Sequence, residues 1–301
     1  MDNTTPASAD IRESFRVYLC HRRATHLTRK AFQSIWNDEH APLVNEFAAA
    51  IGCHKYVQLR MTEHPNPLGA GIAASRHWLA IAIVSLFSGK RPPEHEKDIL
   101  SHEAREYDVV DELWFESEAA LRNAIESPEG RAALKKITGD CADSVLTTSV
   151  VAGCGYEFIL PVASYPSLKV MFALRRKRDM QREAMQDYWL HKHGPFAQTL
   201  KSHLQFHGYE QLHSLADESL GEFAQAFGNN EPTTFDGMAS LRYSTELELG
   251  ELFVHPGFQS ANAKLAKDEL NFIDGQECIV VFGYQHLVFD KTQPAALASA
   301  S

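Results

Sequence analysis

"FQSIWNDEHAPLV" spans Phe32 to Val44, and "MQDYWLHKHGPFA" spans Met185 to Ala197. Each places a Trp, a His four residues on, and a Pro two residues beyond the His. A shift of 153 positions carries Trp36, His40 and Pro42 onto Trp189, His193 and Pro195. It also carries Gln33 to Gln186, Val17 to Val170 and Arg22 to Arg175, and "HKYVQL" (His54–Leu59) onto "HGYEQL" (His207–Leu212). Farther along, the shift becomes 128. "YDVVDELWFESEAAL" (Tyr107–Leu121) then meets "FDGMASLRYSTELEL" (Phe235–Leu249), and Asp140 meets Asp268. The difference of 25 is an insertion in the first copy, placed at about 62–105. Collinear matches of uncommon residues at a fixed period mark an internal duplication. The expected organisation is one unit at 15–160, a second at 161–290, and tails at 1–14 and 291–301.

Each unit reads as one series of elements. "FRVYLCHRR" alternates and is rich in strand formers. A helix follows from Thr28, bent near His40 because Pro42 suits a first turn rather than a helix interior, and resumes to Ile51. "KYVQLRM" and "DVVDELWF" are strands, "SEAALRNAI" is a helix, and "SVVAGCGYEFIL" is the last strand. The order β-α-β-β-α-β is the ferredoxin-like split βαβ unit, an open antiparallel sheet with both helices on one face. The other face needs a cover, so the fold class expected is α+β: two such domains in tandem pack sheet against sheet around a cavity. In "HKYVQL" the apolar Val57 and Leu59 suit the helix side, which turns His54, Tyr56 and Gln58 towards the cavity.

The totals bound the partner. The 301 residues carry a net charge of −10 and a pI near 5.8, which argues against a nucleic-acid backbone or an anionic membrane. Five cysteines without a C-x-x-C pair fit a reducing compartment, and the start lacks a signal-peptide pattern, so a cytoplasmic location is expected. The longest apolar run, Trp78 to Phe87, is about half of a membrane span. No G-x-G-x-x-G, P-loop or G-x-S-x-G occurs, and no metal-ligand spacing; neither cofactor nor metal is expected.

The chemistry rests on a few side chains. Trp36 and His40 share a helical face, and the bend gives His40 reach as an acid or base near neutral pH. Tyr56 is placed to hold an oxyanion, with His54 or Asp140 orienting and Trp36 walling a planar ring. Gln58 and the strand-end Arg22 join as substrate contacts, and Trp189, His193, His207 and Tyr209 repeat the set in the second unit. Each has a plainer role available: the tryptophans as core, the histidines closing the broken helix, and the basic strand ends as solvated charge.

These residues resemble the EthD family of the dimeric α+β barrel superfamily. The likeness rests on the basic strand end, F-x-x-x-W-x-x-x-H-x-P, Y-x-Q, "YDVVDELWF" and the acidic residue before the last strand. It covers both units; the second has "FDGMASLRY" where the first has the family's pattern. The resemblance implies a barrel that single-domain relatives build by dimerising. It further implies enzymes that often use a His and a Tyr, here His40 and Tyr56, with His193 and Tyr209. The function expected is a cofactor-independent lyase or isomerase acting on a small aromatic or polyketide-like molecule. His40 is its acid/base, and a homodimer is a candidate assembly. The alternatives are a non-catalytic binding or accessory protein and a cofactor-free oxygenase of the same barrel type.

Overall fold

The computed structural model describes residues 11–62, 107–159, 165–231, 235–253, 255–275 and 277–292. The insertion at about 62–105 and the two tails lie outside them, Thr62 and residues 11–14, 291 and 292 excepted.

The first unit runs β1 (Arg12–Arg23), α1 (Arg29–Ile35), a π-helical turn (Trp36–His40), α2 (Ala41–Phe47), β2 (Cys53–Met61), β3 (Val109–Phe115), α3 (Glu118–Glu126), α4 (Pro128–Asp140) and β4 (Val145–Ile159). The second runs β5 (Ser167–Leu174), α5 (Arg182–Tyr188), a second π turn (Trp189–His193), α6 (Gly194–Thr199), α7 (Lys201–Leu204), β6 (Gly208–Ser214), α8 (Asp217–Ala226), β7 (Gly237–Tyr243), α9 (Glu246–Phe253), α10 (Pro256–Glu269) and β8 (Ile279–Asp290). Thr28 caps α1, accepting from the Ala31 amide as a helix N-cap should. The sequence did not announce α4, and Asp140 ends that helix instead of sitting in a loop.

The expected bend at His40 is a π turn in both units. The Ala41 and Gly194 amides reach back five residues, to the carbonyls of Trp36 and Trp189. One residue further on, proline supplies no amide hydrogen, so the ordinary ladder is already interrupted there.

The sheets meet edge to edge, not face to face. All eight strands close into one antiparallel barrel in the order β1-β3-β2-β8-β5-β7-β6-β4. Two seams join the units, β2 with β8 and β4 with β6. Closure removes every exposed strand edge. At the seams the chains come close. A Cβ on Gly153 would sit 1.8 Å from the His213 carbonyl oxygen, and one on Gly283 would sit 2.1 Å from that of Arg60. Gly283→Ala is therefore expected to push the seam apart and cost about 1–3 kcal/mol, read as a lower midpoint in urea unfolding.

An eight-stranded barrel is just wide enough for side chains to fill it. Here the filling is partly ionic. Lys169, with no exposed surface, lies 2.8 Å from Glu112 and 2.5 Å from Glu210. Arg16 binds Glu210 at 2.6 Å and Glu157 at 2.5 Å, and Arg242 reaches Glu210 at 3.4 Å. Burial alone would raise the Glu210 carboxyl, but Lys169, Arg242 and Arg16 hold it well below the usual range. Apolar residues, among them Tyr18, Leu59, Met171 and Val281, pack the rest of the interior. The barrel centre is thus a core and not the expected cavity.

That packing reverses the face assignment for β2. Leu59 points into the barrel, while Tyr56 joins the helix-side core with Val44 and Leu121. Gln58 also faces the helices, donating to the Trp36 carbonyl at 3.2 Å. Both faces of the strand are buried, so polarity alone does not sort them.

Candidate functional site

In the first unit the helix-side cluster centres on Asp111 of β3, a residue missed in the sequence. The Trp36 indole donates to both its oxygens at 3.1 and 3.0 Å, and the Tyr56 hydroxyl donates to Oδ1 at 2.8 Å. Nε2 of His21 and Nε2 of His40 stand 3.3 and 3.4 Å from Oδ2, near enough to favour its charged form. Burial works to raise the Asp111 carboxyl, and the two imidazoles overcome it and hold it far below the usual range. Burial pushes His21 down.

His40 itself is only 3% exposed, and neither ring nitrogen has a hydrogen-bond partner among the described residues. It stacks on Trp36 with ring centroids 4.0 Å apart, as the four-residue spacing predicts. His21 packs against the same indole at 4.6 Å. The Trp36 faces are therefore occupied by the protein's own rings. Tyr56 accepts from Gln58 at 2.7 Å and gives its proton to Asp111, so its hydroxyl is committed.

Other expected members stand apart. Asp140 is exposed and accepts from the Cys141 thiol at 3.4 Å. His54 is half-buried at the start of β2, where burial lowers it. Arg22 binds Glu231 at 2.6 Å and lies over the Tyr107 ring. His207 pairs with Glu248 at 3.0 Å at an exposed position. The second arginine of each strand end has a structural partner: Arg23 bonds to Asp108, and Arg176 to Asp236.

The second unit keeps the same frame and changes the contents. Gln211 again donates to the tryptophan carbonyl, at 3.1 Å, and to the tyrosine hydroxyl of Tyr209, at 2.7 Å. The position of Asp111 is Ala239, and that of His21 is Leu174. Both line a cavity of about 70 Å³, together with Trp189, His193, Tyr209 and Glu269. Alanine in place of aspartate and leucine in place of histidine thus go with a cavity on this side of the barrel. Trp189 also hydrogen-bonds Tyr209, whose own proton has no acceptor among the described residues.

At the cavity edge His193 Nδ1 meets Asp268 Oδ2 at 2.8 Å, a pairing that Asp140 does not make in the first unit. Tyr188 donates to the other Asp268 oxygen at 2.7 Å. The His193 bond, helped by Tyr188, holds the Asp268 carboxyl below its ordinary value. A carboxylate on Nδ1 fixes the tautomer that leaves Nε2 as a base. Nε2 is 3.9 Å from Glu269 Oε1. Burial, then the neighbouring Asp268, pushes Glu269 up to about 8, so it is a neutral acid at pH 7. An imidazole nitrogen and a carboxyl group thus share one small cavity. Glu269 was not foreseen; its signal was the Cys141-to-Glu269 mismatch beside a matched aspartate.

Among the described residues, no group of three or more His, Cys, Asp or Glu is arranged to hold a metal. None of their helices is long and apolar enough to cross a membrane.

In comparisons with known proteins, no curated sequence matches the chain. Among solved structures, an anthrone oxidase-like protein aligns with TM-score 0.53 at 9% identity, covering 96% of this chain and 99% of the other. A candidate monooxygenase from Lactobacillus acidophilus NCFM gives TM-score 0.44 at 7% identity over 91% and 95%. A chlorite dismutase variant from Candidatus Nitrospira defluvii, with cyanide, gives 0.43 at 8% over 91% and 91%. The first of these shares the fold, and at such identity nothing further follows. The EthD domain matches residues 24–142 and 177–276, one segment in each half, and the chain is a member of the EthD domain family.

Proposed function

We propose that the chain is a cofactor-independent acid–base enzyme of lyase or isomerase type, with its reacting centre in the second unit. The observation that carries the reading is the His193–Asp268 pair at 2.8 Å facing the Glu269 acid at 3.9 Å across a cavity. His193 Nε2 takes a proton from a carbon next to a carbonyl. The C–H pair becomes a C=C bond, and the carbonyl oxygen takes a proton from Glu269. The product is the enol; proton return from His193 to Glu269 resets the site. Loss of water from a β-hydroxy carbonyl follows the same start, the hydroxyl leaving with the proton that His193 took.

In this reading the units 15–160 and 161–290 are two ferredoxin-like domains, joined as two chains of single-domain relatives would be. The first is the scaffold: its His40, Tyr56 and Trp36 are spent on one another and on Asp111. An aromatic or polyketide-like substrate would put only its reacting group in the cavity. A benzene-binding cavity is about 150 Å³, twice the volume present.

The test follows deuterium uptake from D2O by a panel of small ketones, phenols and anthrone, with oxygen uptake recorded alongside. Wild type should catalyse exchange of at least one member, and folded His193→Ala should not. Binding without exchange or turnover across the panel would favour the accessory-protein reading. The pH dependence is also expected. Glu269 is useful only while protonated, so the rate should fall as pH rises through about 8, and Glu269→Gln should remove that limb.

A further inference from the structure

We propose that the cavity of the second unit selects an uncharged carbonyl group, held between the Asn262 amide and the Glu269 carboxyl. The proposal rests on the acid–base reading and names its substrate class. Asn262, Leu265, Ala266 and Glu269 all line the cavity and follow the 3, 4 and 7 spacing of one helical face on α10. Asn262 is half-buried, and its amide has no protein hydrogen-bond partner among the described residues.

The polar groups on the wall are few: His193, Tyr209, Asn262 and Glu269, with no Lys or Arg among the described lining residues. An anion would enter a mostly apolar space with no counter-charge, close to the Asp268 carboxylate behind His193. Such burial is costly. A cation would need Glu269 to give up a proton that burial keeps on it. The wall offers three groups that can donate, the Asn262 amide, the Tyr209 hydroxyl and the protonated Glu269 carboxyl, beside Nε2 of His193, which can accept. Its complement is a hydrogen-bond acceptor with a C–H beside it, which is a carbonyl carrying an α-hydrogen. Size agrees: if the six atoms of benzene take about 150 Å³, then 70 Å³ admits roughly three heavy atoms, a C–C=O unit.

Three probes of four heavy atoms separate the charge classes: acetone, acetate and isopropylammonium. Ligand-observed NMR on the full chain at pH 7 is expected to show acetone bound, with both ions at least about tenfold weaker. Asn262→Leu, with the same branched heavy-atom skeleton, should weaken acetone about tenfold, and Asn262→Asp, which adds a charge, should weaken it as much. Each variant is compared with wild type by circular dichroism first. The proposal is overturned if either ion binds as tightly as acetone. It is equally overturned if acetone does not bind, or if folded Asn262→Leu binds it like wild type. The acid–base reading stands or falls separately, on whether wild type exchanges protons of any panel member, acetone included, faster than His193→Ala does.

Discussion

His193→Ala is expected to lower turnover by about 10²–10⁴-fold, the range for losing a positioned proton-transfer group. His40→Ala is expected to leave turnover within about threefold and to lower stability by about 2 kcal/mol instead. The contrast follows from surroundings, since the two imidazoles sit at matched places in matched π turns. His193 has an aspartate on one nitrogen, and the other lines the cavity 3.9 Å from Glu269. His40 is walled in by Trp36, beside His21 and Asp111. Asp268→Asn should reproduce much of the His193→Ala defect, because an amide oxygen fixes the tautomer without stabilising the imidazolium. Steady-state rates on the exchanging substrate, with urea unfolding of each variant, check all three. Equal losses for the two histidine variants would refute the assignment to one half.

Lys169→Met should be the most damaging single change to the fold, at about 3–5 kcal/mol, measured as the shift in urea midpoint at constant m-value. Methionine fills the space but leaves Glu112 and Glu210 facing each other without the cation between them. The cluster also sets a pH dependence. Glu210 has a depressed folded pKa, so its contribution is fully present above the unfolded value of about 4.3. It declines as pH falls below that value towards the folded one. Wild type should therefore lose stability in acid, and Lys169→Met, with Glu210 less depressed, should lose less over the same window. A steeper acid loss in the variant would contradict this account.

Much of the architecture was legible because duplication writes each element twice. Trp36 with Trp189, Pro42 with Pro195 and Tyr56 with Tyr209 fixed the strands, the interrupted helix and the family resemblance. The side assignment of β2 failed for a physical reason. Alternation separates wet from dry, and here both sides of Cys53–Met61 are dry, with ions inside the barrel and a polar cluster beneath the helices. The candidate site was half legible. His193, Tyr209 and Trp189 came from the repeated motif, but Glu269 and the cavity came from what the copies do not share. Asp111 against Ala239, His21 against Leu174 and Cys141 against Glu269 were visible as mismatches. Their meaning needed the barrel register that pairs Leu19 with Asp111 and Phe172 with Ala239.

The seams at β2–β8 and β4–β6 lie within one covalent chain. In a symmetric pair of identical chains every substitution appears twice, so an aspartate that firms one half must also plug the other. Fusion lifts that constraint. A residue that closes one half no longer closes its twin, and stability and chemistry can be selected on different halves of one molecule.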